Sequence, residues 1–157
     1  MFNRKIDKTE VSEYLKNCNE NTKIYLGCDS ERFRLGDEWY ADYMLCVVIH
    51  VNGNSGGKIF GEVHRERIYD NNPRKPGMRL MGEVFKVAEL YLELEDVISG
   101  YETAIHLDVN PSKSYASNSI MNEALGYIRG VCQIEPEIKP KAWAASTAAD
   151  RYKSLIG

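Results

Sequence analysis

The chain has 157 residues, 43% hydrophobic and 27% charged, with a formal net charge of −3. That length suits one domain with a real core, and the charge excludes any global pull toward nucleic acid, so phosphate binding would need a local basic patch. Four cysteines with no C-x-x-C pair argue against a zinc ribbon, no apolar run approaches the ~20 residues that span a bilayer, and the lack of a secretory pattern leads us to expect a reduced, cytoplasmic protein.

Residues 1–22 read as a polar lead-in holding a short helix, capped by Thr9, with Val11 and Leu15 on one face. A strand is predicted over 24–28, then a turn over 31–38 helped by Gly36-Asp37. Aromatic and β-branched residues predict a long strand over 39–51; the glycine-rich stretch 52–57 is a hairpin loop, and 58–69 returns antiparallel. Residues 70–77 form a loop rich in proline and asparagine. From Met78 the period changes: Leu80, Val84, Val87, Ala88 and Tyr91 make a helical stripe and predict a helix over 79–94. A strand over 103–109, a turn at 110–113 and a helix over 114–130 follow. A fifth strand is expected over 131–139, at an edge or bulged because of Pro136, and an alanine-rich helix over 143–155. A hairpin followed by alternating helices and strands implies a mixed α/β sheet with helices against its faces.

The chemistry-bearing residues are acidic. Two apolar strands run into carboxylates, IYLGCDS at Asp29 and IHLDVN at Asp108. If those strands lie parallel and adjacent, both carboxylates reach one edge and can converge on a hard divalent cation, which needs an oxygen cage; the plain alternative is that each opens a turn. Glu83 flanks the apolar stripe of its helix, near Leu80 and Val87, where a charge costs desolvation unless it has a partner. Asp150 follows small residues that let its helix approach the sheet, although Arg151 and Lys153 offer it a surface salt bridge.

Arg65, Arg67, Arg74, Lys75 and Arg79 gather around the loop leading into the Glu83 helix, and Lys113, Lys139 and Lys141 follow other strand ends. Beside an acidic cage such a patch suits a phosphate backbone; otherwise it is a solvated loop. His106 shares a strand face with Asp108 and is either an outer contact of the cage or a packed sheet histidine. Ser30 and Ser146 lack a histidine at triad spacing, which leaves little for a serine-hydrolase reading.

The order Asp, Glu, Asp, Asp over strand, helix, strand and last helix resembles the ribonuclease H fold. More closely, the chain is similar to the YkuK-like family of ribonuclease H-like domains. The matching pieces are IYLGCDSE, the hairpin with Gly56-Gly57, RLMGEV around Glu83, IHLDVN at Asp108 and KPKAWAASTAADRYK. The resemblance covers 23–157 and leaves 1–22 as a lead-in. It implies a mixed five-stranded sheet flanked by helices and a metal-dependent nuclease. Asp29 would bridge two Mg²⁺ or Mn²⁺ ions, Glu83, Asp108 and Asp150 would complete the cage, and Ser30, His106 and Ser146 would surround it. The partner would be nucleic acid. Cys28 and Glu31 stand where a threonine and a glutamine are expected, and VNPSKS replaces a glycine-containing turn after Asp108, so the near environment differs. The alternative is a catalytically silent module of the same fold that binds nucleic acid or a protein partner.

Overall fold

Residues 41–49 of the second strand are all buried. An unbroken buried run, without alternation, means that both faces of the sheet are covered there. The computed structural model describes residues 5–51, 57–69, 76–109, 118–138, 141–144 and 147. In chain order these form α1 (Lys8–Leu15), β1 (Lys23–Leu35), β2 (Glu38–His50), β3 (Gly57–Ile68), α2 (Pro76–Ile98), β4 (Glu102–His106) and α3 (Asn118–Cys132). Among the described residues the sheet has four strands, in the order β3-β2-β1-β4. The β1–β2 and β2–β3 pairs are antiparallel, and β1–β4 is parallel. This is the mixed α/β sheet expected from the element order.

One face carries the main core. Ile24, Leu26 and Cys28 of β1 and Tyr43, Leu45, Val47 and Ile49 of β2 alternate toward Val84, Val87 and Leu94 of α2, Val11 and Leu15 of α1, and Ile128 of α3. Each fully buried aliphatic side chain contributes roughly 1.5–3 kcal/mol. On the opposite face Met44, Cys46 and Val48 pack with Ala144, flanked by Tyr25, Ile59, Val63 and Trp143. Cys46 and Cys132 are buried cysteines outside any disulfide.

Several local expectations need correction. The first helix is capped by Asp7, whose side chain accepts from the Thr9 N–H at 2.8 Å; Thr9 lies inside the helix. β1 does not end near Asp29 but continues to Leu35, through the segment expected as a turn. The reversal is confined to Gly36-Asp37, with Leu35 opposite Glu38 and Gly36 at φ 62°, a backbone glycine adopts at no steric cost. Among the described residues, the segment expected as a fifth strand contributes one parallel bridge, His106 to Glu137, held by Leu107 N–H to Glu137 O and Glu137 N–H to Ile105 O, each 2.9 Å. Pro136 has no N–H to donate, and Gln133 at φ 60° turns the chain out of extended geometry. Of the predicted last helix, the described residues hold one turn, closed by the Thr147 N–H to Trp143 O at 3.1 Å.

Candidate metal centre

The parallel ladder between β1 and β4 runs from Lys23 opposite Glu102 to Gly27 opposite His106 and stops there. Asp29 and Asp108 each come two residues past that last pair. They are therefore level with one another at the point where the two strands cease to pair. Asp29 is not the end of its own strand, since it stays paired with Met44 of β2. It marks the end of parallel pairing, which brings the two aspartates together as the sequence suggested.

The third carboxylate arrives from above the sheet. α2 presses on β2 at Gly82, where an added Cβ would lie 2.5 Å from the Tyr43 hydroxyl oxygen and 2.9 Å from two ring carbons. Only a residue without a side chain permits that approach, and the next residue is Glu83. Glu83 is buried, with 7% of its surface exposed. Its Oε2 accepts from the Ser30 hydroxyl at 2.5 Å, and Asp29 Oδ1 accepts from the Ser30 backbone N–H at 2.8 Å. Asp29, Glu83 and Asp108 each offer one oxygen, and these atoms lie within 4.8 Å of one another.

Electrostatics follow from that crowding. Burial pushes the Glu83 carboxyl well above the usual carboxylate range, and the charges of Asp29 and Asp108 push the same way. The Ser30 hydrogen bond and the Arg79 guanidinium oppose the shift. A divalent cation would favour the charged forms of all three groups. Burial, helped by Glu83 and Asp29, also raises the Cys28 thiol well above its ordinary value, and its sulfur is not among the clustered ligand atoms. The donors are then oxygens alone, the chemistry of hard ions such as Mg²⁺ or Mn²⁺.

The expected basic patch divides. Arg65 and Arg67 lie in β3, on the strand expected for them, and both are paired: Arg65 is fixed to the buried Asp42 by bonds of 2.8 and 3.0 Å, and Arg67 pairs with Glu38 at 3.3 Å. Arg79 lies one helical turn before Glu83, and its Nε is buried with no hydrogen-bond partner. Lys141 is exposed in a turn. Asp150, Arg74, Lys75, Lys113, Lys139 and Ser146 lie outside the described residues.

His106 is a packed histidine that also ties segments together. It is fully buried. Its Nδ1 accepts from the backbone N–H groups of Trp143 and Ala144, both at 3.0 Å, so the proton sits on Nε2, which faces Glu137 Oε2 at 2.9 Å. Burial lowers its pKa below the ordinary value and Glu137 works against that, so the ring is neutral at physiological pH.

Sequence reading missed Gly82 and Tyr43, although a glycine inside an otherwise strong helical stripe was a signal of close packing. It also missed Asp42 and Glu137, whose partners are far away in the chain. Among the described residues no helix is long and apolar enough to cross a membrane.

A family model described as ribonuclease H-like matches residues 8–154. No curated protein and no solved structure gives a significant match. The match spans nearly the whole chain, on a sheet with three antiparallel strands and one parallel strand beside them, and on that basis the chain belongs to the ribonuclease H-like family.

Proposed function

We propose that this protein is a divalent-metal-dependent nuclease that hydrolyses phosphodiester bonds in RNA, DNA or a hybrid, using two Mg²⁺ or Mn²⁺ ions. The observation that carries the reading is the meeting of Asp29, Glu83 and Asp108, whose ligand oxygens lie within 4.8 Å in an all-oxygen site. Three crowded carboxylates, one of them on the buried Glu83, are costly unless a cation relieves them, so the residues fit the ion. Asp29, Glu83 and Asp108 would hold the metals, with Asp150 as a fourth ligand. When bound, such ions supply activation of the attacking water and stabilisation of the leaving oxygen in an in-line displacement.

The chain's own residues do the rest. Ser30 orients Glu83 through its hydroxyl and Asp29 through its backbone N–H. Arg79, whose guanidinium acts on Glu83, would add positive charge beside the carboxylates for a phosphate to meet. In this reading the substrate backbone is drawn by Arg79 and the remaining lysines and arginines around the site, and the enzyme works in the cytoplasm. The finer kinship, with the YkuK-like branch of the family, also belongs to the proposal.

The test is a panel of end-labelled single- and double-stranded DNA, RNA and hybrid, incubated with Mg²⁺ or Mn²⁺. Cleavage should depend on the metal and vanish in Asp29→Asn with the fold intact. Cleavage that survives in Asp29→Asn refutes the assignment. Metal binding without cleavage of any substrate points instead to a silent module of the same fold.

A further inference from the structure

Beyond Gly27 the sheet loses β4, but β1, β2 and β3 continue together to Leu35, Glu38 and Ile68. That overhang of residues 28–35 extends roughly 25 Å at the rise of a β-strand. Its side chains are unusual for an exposed sheet. Phe33 lies opposite Tyr40, and Tyr40 opposite Arg67; one row nearer to Asp29, Asp42 lies opposite Arg65. Directly opposed residues, and residues two apart, share a face. The Phe33 and Tyr40 rings stack at 5.9 Å with 21° between planes. The Arg65 guanidinium lies 4.5 Å over Phe33, and that of Arg67 lies 4.9 Å over Tyr69. Tyr69 is 83% exposed.

We propose that this face, built from Phe33, Tyr40, Arg65, Arg67 and Tyr69, is a stacking platform for the unpaired bases of single-stranded nucleic acid, continuous along β1 with Asp29. It names a substrate class for the nuclease reading above and rests on that reading only for the link to cleavage.

The charge pattern selects this occupant. Arg65 is neutralised by a two-point pair with Asp42, and Arg67 by Glu38. What they offer is not a strip of free positive charge for a duplex backbone but flat guanidinium planes, held rigid and laid on aromatic rings. Bases of either sequence stack on such planes, and only unpaired bases expose their faces. A second copy of the chain is a poorer fit, because a stable protein interface needs an apolar centre. Here guanidiniums overlie the rings. Phe33 lies four residues along β1 from Asp29, ~13 Å at strand rise, so a strand stacked here has a short path to the carboxylates.

The experiment is fluorescence anisotropy of a labelled mixed-sequence single-stranded oligonucleotide and the matching duplex, in EDTA so that neither metal nor cleavage contributes. The single strand should bind at least about tenfold more tightly than the duplex, and Phe33→Leu with Tyr40→Leu should weaken it about ten- to a hundredfold. Tyr69→Ala, at an exposed position that leaves the core untouched, should weaken it about fivefold. Arg65→Lys, which keeps the charge but loses the plane, should also weaken it. Equal binding of strand and duplex, or unchanged binding by both Tyr69→Ala and the Phe33/Tyr40 variant, overturns the platform. So does a sedimentation profile in which the wild type is a dimer and the Phe33/Tyr40 variant a monomer, since the face would then be a self-interface.

The two proposals fail separately. If no substrate is cleaved but the platform variants lose binding, the nuclease reading falls and the platform stands. If cleavage is metal-dependent but the platform variants bind normally, the reverse holds.

Discussion

The Ser30 hydroxyl donates a 2.5 Å hydrogen bond to Glu83 Oε2, joining the middle of β1 to the helix above it. The same residue's backbone N–H holds Asp29 Oδ1 at 2.8 Å, so one serine orients two of the three clustered carboxylates. A hydrogen bond to a charged acceptor contributes about 1.5–3 kcal/mol, most of it felt when the acceptor is buried. Ser30→Ala should therefore weaken Mn²⁺ binding about tenfold, the low end of that range, while Asp29 keeps its backbone contact. Calorimetric titration of the variant checks this. Wild-type affinity in Ser30→Ala would show that the hydroxyl does not order the site.

Glu83 also makes a pH prediction. Burial first, then Asp29 and Asp108, raise its folded pKa above the unfolded value of 4.5. The folded state then binds the proton more tightly than the unfolded chain does. Its contribution is present below the unfolded pKa and is lost as pH rises through the folded one. Without metal, the wild type should lose ground to Glu83→Gln as pH increases, because the amide never has to ionise. Saturating Mn²⁺ should restore the wild type and leave the variant unmoved. Thermal melts in EDTA over about pH 5 to 8 measure the gap. Parallel curves for the two proteins would mean that Glu83 titrates normally.

Gly82 sets the depth of α2. In Gly82→Ala the new Cβ meets the Tyr43 ring at 2.5–2.9 Å, and burial has already pushed the Tyr43 hydroxyl up to about 12, a sign of how enclosed it is. Overpacking of this kind costs about 1–3 kcal/mol. It should also lift Glu83 away from Ser30 and weaken Mn²⁺ binding. Replacing Tyr43 with leucine in the same chain should recover part of both losses, giving a coupling of roughly 1 kcal/mol or more by double-mutant cycle. Strictly additive effects would show that the two side chains do not compete for space.

His106 supports the opposite face. His106→Ala leaves the Trp143 and Ala144 N–H groups without their acceptor. Each buried group left unpaired costs about 1–3 kcal/mol. Urea unfolding should show a loss of that order. In a Trp39→Phe background the emission of Trp143, packed 5.2 Å from the imidazole, should shift to the red. An unshifted spectrum with full stability would remove His106 from any anchoring role.

How much of this was legible beforehand depends on how local each signal is. Asp29 and Asp108 stood out because apolar runs lead into them, and Glu83 because it borders the stripe of Leu80 and Val87. Those patterns reside within a few residues of chain. The full length of β1 did not stand out, because Asp29, Ser30, Glu31 and Arg32 are four polar residues in a row that interrupt the apolar signal before Phe33 and Leu35. Polar composition there resembles a turn, yet β2 pairs with every residue as far as Leu35. The expected fifth strand failed for the reason its proline hinted at, a missing donor, and among the described residues only Glu137 bridges to β4. Arg65 and Arg67 read as part of a basic patch because their acidic partners, Asp42 and Glu38, lie on the neighbouring strand, a pairing that composition alone does not register. The roles of His106 and Gly82 depend on Trp143, Ala144, Glu137 and Tyr43, all distant in sequence.

The central claim is that Asp29, Glu83 and Asp108 form a divalent-cation site. Isothermal titration of Mn²⁺ into the metal-free protein, paired with melts at each metal concentration, tests it most directly. Saturable binding that raises the melting temperature in the wild type, and is lost in both Asp29→Asn and Glu83→Gln, is the result we predict. A wild-type melting temperature indifferent to Mn²⁺ and Mg²⁺, or binding that persists unchanged in both variants, would contradict it.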